Sequence, residues 1–201
     1  MSKDDIVNQD DKDKVINAKK KDKILTILLA IAILVLVLVI VVKMFVLTNM
    51  TVMQSSMEPT FHEKDIIWVY KMGKPERGEV VVFDLKENAI TKQLIKRVVA
   101  TEGDKLWWEE SSEEGRYELH IFTADTNKEI TENYYKKGKS PVNIPNTTNR
   151  GIILARSNSL ETAYTVPKDC FFAMGDNREV SNDCRAFGEI NITDLVGTVL
   201  N

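Results

Sequence analysis

With 201 residues, 43% of them hydrophobic, the chain is long enough for one folded domain of ordinary size plus an appendage. Its formal net charge of −3 supplies no positive field to gather a polyanion, which excludes nucleic acid as the expected partner. Only His62 and His120 could join Cys170 and Cys184 around a metal, and no zinc spacing links them, so neither a metal site nor a cofactor is expected.

Residues 1–23 mix Lys, Asp and Asn with single aliphatics, too little apolar surface to offset chain entropy, and predict a flexible or loosely helical tail. The next stretch, ILTILLAIAILVLVLVIVV at 24–42, is uncharged and almost wholly apolar. At about 1.5 Å per residue it matches a hydrocarbon core of roughly 30 Å, which predicts a transmembrane helix over 24–47. A buried core helix would need other helices around it, and the apolar core of a cleaved signal peptide runs only about 7 to 15 residues. The span therefore reads as a retained anchor. Lys19, Lys20, Lys21 and Lys23 crowd its N-terminal end against Lys43 at the other, which predicts a cytoplasmic N-terminus and an extracytoplasmic domain from about residue 48 to 201. On that side Cys170 and Cys184 could be oxidised, although their spacing leaves a disulfide and free thiols both open.

Beyond the anchor come short β-type runs separated by turn residues: Asp65–Tyr70, Glu79–Leu85, Leu94–Ala100, Tyr117–Phe122, Ile152–Ala155 and Cys170–Met174. No segment there keeps a helical period for long. The expected fold is mainly β, a partly closed barrel or packed sheets, with the polar, charge-rich stretch 105–165 as an elaboration of hairpins and loops.

MQSSMEPT, at 53–60, places Ser55 and Ser56 side by side in a turn-rich context, and composition does not choose between them. A serine nucleophile needs a base. His62 lies in a polar turn and His120 alternates with apolar neighbours in YELHIF, so both favour structural roles. Lys96 is different, because LIKRVVA sets it among Ile95, Val98 and Val99 in a predicted core strand. Burial there would lower its pKa and make it a base at neutral pH, whereas a strand lysine snorkelling to the surface would do nothing of the kind. A third cluster, GDNREVSNDCRAFG at 175–188, could be turns and an exposed Asp183–Arg185 pair or part of a site.

Taken together, SMEPT at 56–60, RGEVVVF at 77–83, IKRVVATEGD at 95–104 and GDNREVSNDCR at 175–185, in this order behind an N-terminal span, resemble the bacterial type I signal peptidases. The resemblance covers the framework of the extracytoplasmic domain and says little about 105–165. It implies that Ser56, immediately before the Met, is the nucleophile and Lys96 the general base. Ser181 would hydrogen-bond and orient Lys96. Asp176 with Arg97 and Asp183 with Arg185 would be supporting ion pairs. Met57 would line the pocket for the small residue before the cut, and Val52, Met53, Leu94 and Ile95 would help form two shallow substrate pockets.

Three positions depart from the family pattern. Cys184 stands where serine is usual, Glu102 stands where proline usually precedes Gly103–Asp104, and Gln54 occupies the place of a serine that helps hold the oxyanion in some relatives. The function implied is a single-span membrane endopeptidase that removes signal peptides from exported preproteins at Ala-x-Ala-like sites, working near the export translocon. Ser56 follows the span within about a dozen residues, which would set the site close to the bilayer surface.

Overall fold

The computed structural model describes residues 3–87, 90–110, 117–130 and 157–200. It divides into two compact units, Met1–Phe45 and Val46–Asn201.

Helix α1 (Lys3–Val46) accounts for the first unit. Its Lys19–Val46 portion, in which an 18-residue window has a mean hydropathy of 3.6, is the one described helix segment long and apolar enough to cross a membrane. The tail ahead of the apolar run, expected to be flexible or loosely helical, continues the same helix from Lys3. Lys, Gln and Ala are good helix formers, and no Pro or Gly interrupts the segment.

The second unit is built from strands β1 (Leu47–Thr51), β2 (Ile66–Tyr70), β3 (Val80–Glu87), β4 (Ile90–Thr101), β5 (Lys105–Glu110), β6 (Tyr117–Thr123), β7 (Lys128–Ile130), β8 (Tyr164–Thr165), β9 (Cys170–Met174), β10 (Ile190–Asn191) and β11 (Leu195–Leu200). A four-residue helix, α2 (Cys184–Phe187), and two 3-10 turns, Ser55–Met57 and Ile192–Asp194, complete it among the described residues. Seven strands form one antiparallel sheet in the order β1-β2-β11-β3-β4-β9-β10, and four form a second in the order β7-β6-β5-β8. The expected mainly β architecture of packed sheets is therefore what the chain adopts. The run Ile152–Ala155 and most of the expected elaboration after Ile130 lie outside the described residues.

Alternation places the sheet faces. In β3, Val81 and Phe83 belong to a core that spans both sheets, with Leu106, Trp108 and Ile121 from the second sheet and Phe171, Phe172 and Met174 from β9. Val80 and Val82 point the other way, into a smaller core with Val52, Met57, Ile67, Val69 and Val199. The central sheet is thus covered on both faces, and β3 and β4 run through its middle, paired from Val80↔Arg97 to Glu87↔Ile90.

At Gly103, whose φ is +82°, the chain turns from β4 into β5, a conformation that suits glycine. Glu102 beside it accepts a hydrogen bond from Asp169 N at 2.9 Å, so the residue in the usual proline position fastens this turn to the one before β9.

Candidate active site

Ser56 sits in the 3-10 turn that leaves β1. Val52 fixes the approach, accepting from Lys64 N at 2.7 Å and donating its own N–H to Asp65 O at 2.9 Å. Met57, fully buried, anchors the far end of the turn, and its carbonyl accepts from Thr60 N and Phe61 N at 2.8 and 3.0 Å. Ser55 is exposed, whereas Ser56 is only 7% exposed. The two adjacent serines are separated by the turn itself.

Lys96 lies in β4 opposite the buried Val81 and is 1% exposed. Its Nζ is 2.6 Å from Ser56 Oγ, and the two groups share a hydrogen bond. Burial lowers the Lys96 pKa from 10.5 to about 8, opposed by the negative charge of Asp183 and assisted by the positive charge of Arg185. The reading of Lys96 as a core-strand lysine is the one the fold adopts, and the snorkelling alternative is not.

Arg97, the next residue, grips Asp176 through Nε–Oδ1 at 2.8 Å and Nη2–Oδ2 at 2.6 Å, and donates through Nη1 to Gly78 O at 2.7 Å. Thr60 Oγ1 also donates to Asp176 Oδ2, so the turn after Ser56, strand β4 and the 175–183 loop meet at one carboxylate. Asp183 is held by Arg185 Nε and Nη2, both at 2.8 Å, and by Gly175 N at 3.0 Å. Burial pushes the Asp183 carboxyl up, but Arg185 and these hydrogen bonds outweigh it and leave the group below the ordinary carboxylate range. Both expected ion pairs are formed, and both are buried.

Two site residues differ from expectation. Ser181 Oγ is buried beside Gly175 and makes no hydrogen bond to Lys96; the charged group it contacts is the Asp183 carboxyl, whose pKa it helps to hold down. The loop that carries it is fastened through Asp176 and Asp183, not through its hydroxyl. Met57 does not line the groove beside Ser56, because the turn directs its side chain into the small core below.

The groove itself holds about 560 Å³. Met50–Gln54 form one side and Lys92–Lys96 the other, with Ile67 and Val82 also in the lining, so Val52, Met53, Gln54, Leu94 and Ile95 all contribute with Ser56. Among the described residues, β4 pairs with β9 only from Arg97 onward, so no described strand lies along the other edge of residues 93–96. Ile67, Val82 and Thr60 were not singled out by sequence reasoning. The alternation of IIWVY and EVVVF marks the first two as inward-facing, but nothing local to Thr60 announces its partner, 116 residues away.

Neither histidine joins Ser56. His62 has a side chain 65% exposed, and His120 stacks on Trp107 in the second sheet at 5.1 Å with Nδ1 2.5 Å from Glu129. The cysteines are free thiols. Cys184 Sγ accepts from Ala173 N at 3.2 Å, so a thiol fills the usual serine position with a working hydrogen bond, and burial raises its pKa far above the ordinary thiol value. Among the described residues, no cluster of His, Cys, Asp and Glu could hold a metal ion.

A profile of the family described as "Signal peptidase, peptidase S26" matches residues 24–200. The chain belongs to this family. It is 33% identical over 159 residues to signal peptidase IB of Staphylococcus aureus strain COL, covering 77% of this chain and 76% of that protein. It is 27% identical over 161 residues to signal peptidase I of Bacillus caldolyticus, covering 78% and 79%. A crystal structure of a signal peptidase I from Enterococcus faecalis V583 aligns at a TM-score of 0.37 and 24% identity, over 64% of this chain and 98% of that one. The resemblance to bacterial type I signal peptidases is thus borne out, and the protein is a serine peptidase of the signal peptidase family with one N-terminal helix suited to a membrane span.

Proposed function

We propose that this protein is a membrane-bound endopeptidase that removes N-terminal signal peptides from exported preproteins with a Ser56–Lys96 dyad. The single observation that carries this reading is the 2.6 Å contact between Ser56 Oγ and a lysine held in an apolar strand environment. At pH 7 a lysine with a pKa of about 8 is neutral roughly a tenth of the time, and each neutral Nζ can accept the Ser56 proton.

Ser56 Oγ then attacks the carbonyl carbon of the scissile bond while Nζ takes the hydroxyl proton. The resulting oxyanion is met by the Ser56 N–H, with the Gln54 side chain as a candidate second donor. Collapse expels the amine of the mature protein, which takes the proton back from Lys96, and leaves the signal peptide as an ester on Ser56. Water, deprotonated by Lys96, hydrolyses that ester and restores the dyad. Asp176 with Arg97 and Asp183 with Arg185 hold the loop and strand that frame the dyad, and Ser181 orients Lys96 during turnover.

The edge of residues 93–96, along which no described strand lies, and the segment 50–54 suit an extended substrate added as a strand, with small side chains in the shallow pockets of Val52, Met53, Leu94 and Ile95. The organisation that fits is a tail at 1–23, an anchor at 24–47 inserted in the bilayer with a cytoplasmic N-terminus, and a peptidase domain at 48–201 on the far side, close to the translocon. The experiment is cleavage of a precursor carrying an Ala-x-Ala site by the full chain in detergent, with sequencing of the product's new N-terminus. Cutting after the small residue by wild type and Ser55→Ala, but not by Ser56→Ala or Lys96→Met, supports the reading. Undiminished cutting by Ser56→Ala sinks it.

A further inference from the structure

We infer that Asn177 is a positioning residue that aims the Ser56 backbone N–H at the reacting carbonyl, an inference that rests on the dyad reading above. Asn177 touches the nucleophile's turn twice: its backbone N–H donates to Ser56 O at 3.1 Å, and its Nδ2 donates to Ser55 O at 3.2 Å. Those two carbonyls belong to the two peptide groups on either side of Ser56. A peptide group is planar, and in the trans form its C=O and N–H point in opposite directions. Holding Ser55 O therefore fixes the direction of the Ser56 N–H, and holding Ser56 O fixes the plane on the other side.

The clamp is anchored to the base as well as to the nucleophile. Asn177 follows Asp176, which grips Arg97, which follows Lys96, which meets Ser56. The chain of contacts closes into a ring in which Asn177 is the link to the nucleophile's backbone. Asn177 makes further turns of its own, its carbonyl accepting from Ser181 N at 3.0 Å and Val180 N at 3.3 Å, so its backbone is fixed independently of its side chain. The amide nitrogen is then what ties the Ser55–Ser56 peptide to the 175–183 loop. Ser55 O is also bonded by Glu58 N at 3.1 Å within the turn, but that bond moves with the turn and does not tie it to the base.

The test compares kcat, KM, the pH midpoint of kcat and thermal unfolding for the full chain and for Asn177→Ala and Asn177→Asp, on one precursor. Asn177→Asp keeps the size of the side chain and replaces the donor by an acceptor facing a carbonyl oxygen. The expected result is a kcat lowered about five- to tenfold in Asn177→Ala, the scale of one neutral hydrogen bond, and at least as far in Asn177→Asp. KM, the pH midpoint and the unfolding temperature stay at wild-type values. A role in shape alone would rank Asn177→Asp closer to wild type than Asn177→Ala, and that order would overturn the inference, as would wild-type kcat in Asn177→Asp or a loss that appears in the unfolding temperature. Ser56→Ala and Lys96→Met run alongside separate the two claims. If either of them cleaves at the wild-type rate, the dyad reading fails and the clamp with it; if both are inactive while the Asn177 variants are unaffected, the clamp alone fails.

Discussion

Arg97 and Asp176 face each other as a two-pronged pair, guanidinium against carboxylate, with both contacts under 3 Å and both residues buried. The geometry joins strand β4, one residue past Lys96, to the 175–183 loop beside the Ser56 turn, and Thr60 adds a third bond from that turn. The pair is therefore a fastening between the two halves of the site.

Asp176→Asn leaves the Arg97 guanidinium buried with a neutral partner and should destabilise the folded chain by about 3–5 kcal/mol. Denaturant unfolding of the full chain in detergent measures it. The double variant Arg97→Met with Asp176→Leu removes both charges and should be less destabilised than the sum of the single changes, because neither leaves an unpaired ion. Additive losses would show that the two residues act separately.

Gly197→Ala tests how β11 packs. A Cβ at this position would lie 2.4 Å from Tyr70 O and 2.8 Å from Val69 Cγ1, and the closest of these is backbone that cannot rotate away. The sheet must spread or β11 must slip, which sets the expected loss at about 1–3 kcal/mol, read as a lower unfolding midpoint. An unchanged midpoint would mean that the β2–β11 pairing is looser than its register indicates.

Gly197 also hides β11 from a local reading of the sequence. LVGTVL is broken at its third residue by a glycine, which reads locally as an interruption, and only the close approach of β2 gives that glycine its purpose. KLWWEE belongs to the stretch read as hairpins and loops and pairs with β6, but its charges give no sign that Trp107 and Trp108 are both buried, one under His120 and the other against Phe172. By contrast EVVVFDL and CFFAM carry enough branched and aromatic residues to declare β3 and β9 without help. At the site, the apolar neighbours of Lys96 were a true signal of burial. Ser55 and Ser56 are indistinguishable by composition, since which one turns inward depends on Met57 finding its place in the small core. The Asp183–Arg185 pair is visible locally, two residues apart, whereas Arg97–Asp176 is legible only through family resemblance, because it joins segments 79 residues apart.

Ser181→Ala should separate stability from catalysis. The hydroxyl is buried with no bond to Lys96 and only a contact to Asp183 too weak in geometry to count as a good hydrogen bond, so deleting it should leave the unfolding temperature close to wild type. If Ser181 swings to Lys96 during turnover, as proposed, kcat falls about tenfold while KM holds. Wild-type kcat in Ser181→Ala would remove Ser181 from the mechanism.

The lowered pKa of Lys96 has consequences for rate and for stability, with different pH windows. In the proposed dyad the rate depends on the neutral amine, so kcat should rise with pH and level off above about 8, provided that the chemical step limits turnover; a profile flat from pH 6 to 10 under that condition would rule out a lysine base. For stability, the folded protein releases the Lys96 proton near pH 8, whereas the unfolded chain keeps it until about 10.5. Between those values the unfolded state binds more protons, so this residue makes folding more favourable as pH rises, by up to roughly 3 kcal/mol across the window. Below pH 8 both states are protonated and the burial penalty is fully present. Lys96→Met abolishes the penalty and the slope together. Measured by denaturant unfolding, the variant should exceed wild type in stability most at pH 7, and the difference should narrow steadily as pH approaches 10. A gap that stays constant over this range would mean that Lys96 titrates alike in the folded and unfolded chains.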